Sequence, residues 1–243
     1  MTVRETADVE TSSDAYAQRF SGAIGAWFLD LQARHLRDLL GHLPRGSRVL
    51  DVGGGHAQLV PMLVEAGFAV TVLGSDPSCS ARLRPWLDSG ACRFDAGDLL
   101  ALPYPDRAFD AVLSFRLLPH VADCPRLVSE LCRVAGRHVV VDYPSRRSVN
   151  VLADRLFVLK KGVEGDTRPF TLFDPPGIAA AFTREGFRIA GERGQFFWPM
   201  ALHRAIGSAI VARLLEWMPR ATGLTQALGS PRIARADRRT DAT

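Results

Sequence analysis

Short apolar runs alternate with helix-like segments along this chain. That rhythm predicts an α/β fold with a mostly parallel sheet and helices on both faces. Three observations carry the prediction. The apolar runs fall at 48–52, 69–73, 92–94, 110–115 and 138–142, with segments of helical period between them at 58–66, 78–89 and 125–134. The runs are continuous in polarity rather than alternating, as in strands covered on both faces. The first run leads straight into Gly53, Gly54 and Gly55 and then a helix, and it is at such strand ends that open α/β sheets take ligands.

In chain order, residues 1–14 are polar and acidic and read as a flexible tail, with no apolar run of the secretory type. Residues 16–42 read as one helix, because Phe20, Ile24, Trp27, Phe28, Leu31, Leu36, Leu39 and Leu40 recur mostly at steps of three and four before Pro44 and Gly46 stop it. Beyond Asp142 the rhythm changes. A helix is expected over 147–161, a loop through Gly162, Gly165 and Pro169, and a helix over 175–185 closed by Gly186. Strands are expected at 187–190 and 195–198 around a glycine-containing bend, an amphipathic helix over 200–217, and a last strand at 232–236. Residues 15–243 read as one domain, without internal repeats.

Composition excludes several classes. At 47% hydrophobic and 23% charged over 243 residues, the chain is too apolar to be disordered as a whole. A net charge of +4 is too thin a basic excess for a nucleic-acid stripe, so no nucleic-acid partner is expected. Cys79, Cys92, Cys124 and Cys132 form no CxxC pair, which argues against a disulfide scaffold or structural zinc, and no metal is expected. No run of about 18 apolar residues occurs. The expectation is a cytoplasmic protein, touching a membrane at most from its surface.

The glycine loop is the most informative segment. Glycines there permit a sharp turn and close approach of backbone to ligand. A dinucleotide fingerprint would need a small residue where Gln58 stands, and a phosphate-binding P-loop would need a GK[ST] ending that is absent. Asp51, just before the glycines, would repel a pyrophosphate and instead suits a ligand with a positive charge or with hydroxyl and amine donors. Asp76 follows the second strand and Asp98 the third. Carboxylates at those ends can accept from ribose hydroxyls and from an exocyclic adenine amine. Together they would hold an adenosine that carries no phosphate.

At this point the sequence resembles the class I S-adenosylmethionine-dependent methyltransferases, small-molecule type. The resemblance rests on VLDVGGGHA (49–57), VTVLGSD (70–76), AGDLLALPYPDRAFDAVLSF (96–115), LLPHVAD (117–123) and LVSELCRVAGRHVVVDYP (127–144), in that order and spacing. One departure is Ala57, where the family often has a third glycine. The resemblance implies a Rossmann-like, mostly parallel seven-stranded sheet with an antiparallel last strand, and S-adenosyl-L-methionine as cofactor. It places Asp51 by the methionine amino end, Gly53 and Gly55 under the cofactor, Asp76 at the ribose with Pro77 beside the adenine, and Asp98 with Leu99 at the adenine amine. Ser114, Phe115 and Arg116 border the transferred methyl group, and Tyr16 with Arg19 close over the methionine carboxylate.

Each of these residues also has an ordinary structural role open to it. Asp76-Pro77 is a normal helix start. Asp98 suits a turn, and Asp110 a cap or pair. His120, just after the fourth strand, is the catalytic candidate, since imidazole can take a proton from a hydroxyl near neutral pH. It can equally order its loop through a hydrogen bond. Asp142-Tyr143-Pro144 is a second region facing the substrate. His56 reads as part of the loop conformation, and His203 as a residue on the polar face of a late helix.

The C-terminal part should recognise the acceptor. Phe196, Phe197, Trp198 and Met200 cluster, and the following helix lines up Ile206, Ile210, Leu214 and Trp217. That stripe suits packing against the sheet, a lid over a hydrophobic pocket, or contact with lipid. The resemblance implies that 199–230 is inserted between the last two strands. The expected activity is methyl transfer to a small apolar or aromatic acceptor. The alternatives are an RNA or protein methyltransferase, a non-catalytic cofactor-binding regulatory subunit and, last, a nicotinamide oxidoreductase.

Overall fold

The computed structural model describes residues 5–149 and 170–239. Most of the helix expected over 147–161 and the loop to Pro169 lie outside these residues. Seven strands form one sheet: β1 (Arg48–Val52), β2 (Ala69–Gly74), β3 (Cys92–Ala96), β4 (Phe109–Ser114), β5 (Ala135–Tyr143), β6 (Phe187–Gly194) and β7 (Arg232–Arg238). Their order is β3-β2-β1-β4-β5-β7-β6. The first five run parallel, and β7 pairs antiparallel with both β5 and β6. The fold is therefore the Rossmann-like, mostly parallel sheet expected from the sequence, its antiparallel hairpin at one edge.

Alternate residues of each strand enter different cores, which explains the continuous apolar runs. Leu50, Val52, Val112, Val139 and Val141 join one cluster. Val49, Ala111, Leu113 and Val140 join another with Leu36, Leu39 and Leu63. Both faces are thus sealed, as a parallel sheet requires.

The helices are α1 (Ala7–Thr11), α2 (Asp14–Gln18), α3 (Gly22–Leu40), α4 (Val60–Glu65), α5 (Arg84–Asp88), α6 (Cys124–Val134), α7 (Pro175–Arg184), α8 (Met200–Ile206), α9 (Ala209–Ala221) and α10 (Leu224–Leu228). Four expectations are corrected. Residues 16–42 are not one helix: α2 ends at Gln18 and α3 starts after Ser21. The supposed tail contains α1, whose Ala7 and Asp8 are 1% and 0% exposed. Residues 195–198 form no strand, since β6 ends at Gly194. The helix expected over 200–217 breaks at Gly207, whose φ of 70° lies in the left-handed region that closes α8.

The three helices α8–α10 lie between β6 and β7, as the resemblance implied for 199–230. They are held from inside by one carboxylate. Glu216 on α9 is 1% exposed. It accepts from the backbone N–H of Phe197 and of Trp198, both at 3.0 Å, and lies 3.0 Å from His203 Nε2. His203 is itself fully buried, which corrects its reading as a polar-face residue. Glu216→Ala strands two amide donors and an imidazole in the interior. Chemical denaturation should show a loss of about 3–5 kcal/mol, the cost of breaking a buried pair from one side, while Glu216→Gln should recover part of it.

Candidate cofactor cleft and acceptor cavity

The strand order reverses between β1 and β4, and the carboxyl ends of β1, β2, β4 and β5 meet there. Such a switch point opens the crevice in which α/β sheets bind ligands. β1 delivers Asp51 and then turns through Gly53, at φ 76°, into a short 3-10 turn at Gly54–His56. The loop is close-packed. A Cβ on Gly54 would come 2.1 Å from Asp51 Oδ2, and one on Gly55 2.3 Å from Ser12 Oγ. Ala57, where a glycine is frequent, holds φ 60°.

Asp51 is the electrostatic centre. Its carboxylate is fully buried, and neither oxygen has a hydrogen-bond partner among the described residues. Burial, reinforced by the charge of Asp142, pushes its pKa up to about 7. Ser114 Oγ at the end of β4 is likewise buried without a partner. A buried acceptor this poorly satisfied fits a ligand that brings its own ammonium donors. His56 beside it is held neutral, its pKa lowered to about 3 chiefly by burial and then by the Arg116 charge. Its Nδ1 accepts from the Gln58 N–H, in keeping with a role in loop conformation.

The remaining candidates fall in two groups. Asp76 is exposed and accepts from the Ser78 N–H at 2.8 Å as a helix cap, with Pro77 exposed beside it. Asp98 accepts from the Leu100 N–H at 2.8 Å, and Leu99 is fully buried. Both carboxylates stand just beyond strand ends, Asp76 after β2 and Asp98 after β3. Phe115 differs, because its side chain is fully buried in the core with Leu59, Ala111 and Leu113. Only its backbone remains for the cleft. Asp110 accepts from the Arg48 N–H and is structural.

The cleft is covered by the chain's own N-terminus. Asp8 of α1 accepts from the Ser75 N–H at 2.7 Å and from the Ser75 hydroxyl at 2.5 Å. Its Cβ is 3.5 Å from where a Gly53 Cβ would be, and Ala7 packs in the cluster that contains Leu73, Leu99 and Leu117. No local pattern in residues 5–12 foretells this contact, because its partners lie more than forty positions away.

Next to the cleft lies a cavity of about 210 Å³. Its walls are aromatic (Tyr16, Phe20, Phe28, Phe170, Tyr143 and Phe196) with His120, Asp142 and three arginines, Arg19, Arg116 and Arg204. Arg116 organises the boundary. Its φ of 60° is unusual for a residue with a side chain. The turn aims its N–H at Asp142 Oδ1, 2.6 Å away. Its guanidinium donates to Gln58 and to Gln32, and lies 3.8 Å from the centre of the Phe20 ring. Burial raises Asp142 to about 6, opposed by the Arg116 N–H and charge. Gln58, which spoils a dinucleotide fingerprint, thus orients a cation between the loop and the cavity. His120 sits in a 3-10 turn at Leu118–His120, with its ring 5.6 Å from that of Phe170. Arg19 lies over the Tyr16 ring.

An open α/β sheet with a glycine loop, an acidic strand end and an aromatic cavity at its switch point defines a ligand-binding domain of the nucleotide-cofactor type. Residues 27–226 match the family model of the methyltransferase domain, and the chain belongs to that family. It is 37% identical over 114 residues to the demethylmenaquinone methyltransferase of Deinococcus radiodurans, covering 44% of this chain and 46% of that protein. It is 34% identical over 111 residues to the 2-methyl-6-phytyl-1,4-hydroquinone methyltransferase of Synechocystis, covering 43% and 34%. The chain spans about half the length or less of these relatives. In fold it is similar to magnesium protoporphyrin IX methyltransferase of Synechocystis, solved with bound S-adenosylhomocysteine (SAH). That likeness has a TM-score of 0.65 at 15% identity, covering 95% and 97% of the chains. It is also similar to the cyclase SpnF, at 0.58 and 21%, covering 84% and 80%. The fold therefore hosts more than one chemistry, and function has to be argued from the site.

Proposed function

We propose that this chain is an S-adenosylmethionine-dependent methyltransferase acting on a small apolar or aromatic acceptor. The observation that carries the reading is the unpartnered, buried Asp51 carboxylate at the glycine loop, beside an aromatic cavity. Asp51 and Ser114 would receive the amino end of the cofactor, Asp76 the ribose, and Asp98 with the Leu99 backbone the adenine. Tyr16 and Arg19 would meet the methionine carboxylate. When bound, the cofactor supplies a methyl group already activated on a sulfonium, so the protein's main task is alignment and exclusion of water.

The chain's residues divide that task. Arg116 and Asp142 fix the wall between cleft and cavity. Phe20, Phe28 and Phe196 offer flat apolar surfaces to an acceptor ring. His120 takes the proton from an acceptor hydroxyl at its imidazole nitrogen. The segment 199–230 acts as a lid, contributing Met200 and Arg204 to the cavity. Relatives named for quinone and hydroquinone acceptors support an acceptor of that character.

Calorimetric titration tests the reading. SAH and S-adenosylmethionine should bind and NAD should not. Asp76→Ala should weaken SAH at least tenfold, as loss of charged hydrogen bonds of about 1.5–3 kcal/mol predicts. Absence of SAH binding sinks the proposal. For His120, the expected result of His120→Ala is a fall of about a hundredfold or more in turnover of a hydroxyl acceptor, the usual scale of general-base catalysis, with SAH affinity unchanged. Unchanged turnover would return His120 to a loop-ordering role.

A further inference from the structure

The insert between β6 and β7 is built inside out. The inward face of α9 carries Glu216, which ties the segment together, while its outward face carries Ile210 (73% exposed), Leu214 (69%), Trp217 (69%) and Met218 (60%). Among the described residues, nine of the eleven exposed large hydrophobics fall between Leu202 and Leu228. Leaving such side chains in water forgoes the burial that stabilises helices such as α3 and α6. A contiguous patch of this kind on a folded domain marks an interaction surface.

Charge says what covers it. Residues 200–230 contain Arg204, Arg213 and Arg220, all exposed, and a single acidic residue, Glu216, which is buried. The outside of the insert is therefore apolar and cationic, with no acid of its own. On the neighbouring α3, Asp30 is paired with Arg34 and adds no free acid to the rim. A second copy of the chain docking through this face would set the arginines against themselves, because a twofold contact repeats the same patch on both sides. The anionic surface of a bilayer meets both features at once. An amphipathic helix lies in the interface with its apolar side in the acyl boundary and its cations at the headgroups. No described helix is long and apolar enough to cross a membrane, so the contact is a surface one.

We infer that the exposed face of α8 and α9 docks this protein onto an anionic lipid surface. The consequence for access is direct. α8, which carries the exposed Leu202, also supplies Met200 and Arg204 to the cavity, so docking sets the cavity wall against the lipid. This inference goes beyond methyl transfer and does not depend on it, since the surface is argued from exposure and charge alone.

The test is flotation of the whole protein with vesicles of phosphatidylcholine alone or mixed with phosphatidylglycerol. The expected result is binding to the mixed vesicles, weakened by salt, and little to phosphatidylcholine alone. Leu214→Glu combined with Trp217→Glu should cut binding at least tenfold, given the transfer energy of two large side chains. Arg213→Gln should cost about fivefold, the scale of one cation near an anionic surface. Both variants change exposed positions and should unfold at the parent's temperature. Failure to float with the mixed vesicles overturns the inference. So does a dimer, seen by light scattering, that the Leu214→Glu and Trp217→Glu pair converts to monomer. Either vesicle outcome stands whether or not SAH binds.

Discussion

Asp51→Asn should make the ligand-free protein more stable at pH 8 and leave it unchanged near pH 3, while abolishing SAH binding. The sign follows from proton uptake. The folded Asp51 holds its proton up to about pH 7, whereas the unfolded side chain releases it near its ordinary value of 3.8. Between those limits the folded state binds more protons, so its stability falls as pH rises, and above pH 7 the full penalty is present. About three units correspond to a ceiling of about 4 kcal/mol. Asparagine matches the protonated carboxyl in size and polarity, hence no change at pH 3; the ceiling is an upper bound, and about 2 kcal/mol or more is the expected gain at pH 8. Urea unfolding of parent and variant at pH 3, 5 and 8 measures it. An identical pH slope in the two proteins would show that Asp51 is not the group responsible. A gain in stability joined to a loss of binding is what a binding residue held at a cost should give.

Removing residues 1–12 should tighten SAH binding by about tenfold or more. Ligand affinity is reduced by the fraction of molecules whose site is open, and α1 closes this one. Asp8 contributes two hydrogen bonds to Ser75. Bonds to a charged group are worth about 1.5–3 kcal/mol each, so breaking them releases more than a tenfold bias. Asp8→Ala, which keeps the rest of α1, should move affinity in the same direction by a smaller factor. The truncated protein should also unfold more readily without ligand, because Ala7 leaves the core. Weaker SAH binding after truncation would mean that α1 forms part of the bound site, and that the cleft is completed by this segment.

The strands and the glycine loop were legible because local pattern determines them. Short apolar runs between helical segments mark β1 to β5, and Gly53 must stand where φ is positive. What stayed hidden depends on partners remote in sequence. α1 is five residues long and polar, and its Asp8 is buried only because Ser75 lies sixty-seven positions on. Arg116 gains its role from Gln32 and Gln58, neither of which carries a motif. Phe115 was a matter of parity, since adjacent residues of a strand point to opposite faces. Phe115, next after β4, joins Ala111 and Leu113 in the core, whereas Ser114 Oγ is buried without a partner. In the insert, period revealed that the helix is amphipathic but not which side faces in, and a buried Glu216 reversed the ordinary assignment.

The pairing of β6 with β7 bears on how this protein could be altered. Gly194 and Arg232 face each other at the end of the antiparallel ladder, so residues 195–231 leave and rejoin the sheet at one point. Topologically they are the turn of a hairpin, enlarged into three helices. A loop whose ends are pinned together changes length at small entropic cost, and none of the residues assigned to the cofactor lies within it. The segment is a cassette. Exchanging it for that of another chain with the same hairpin should alter what the cavity admits and where the protein resides, while the glycine loop and its acidic neighbours carry on undisturbed.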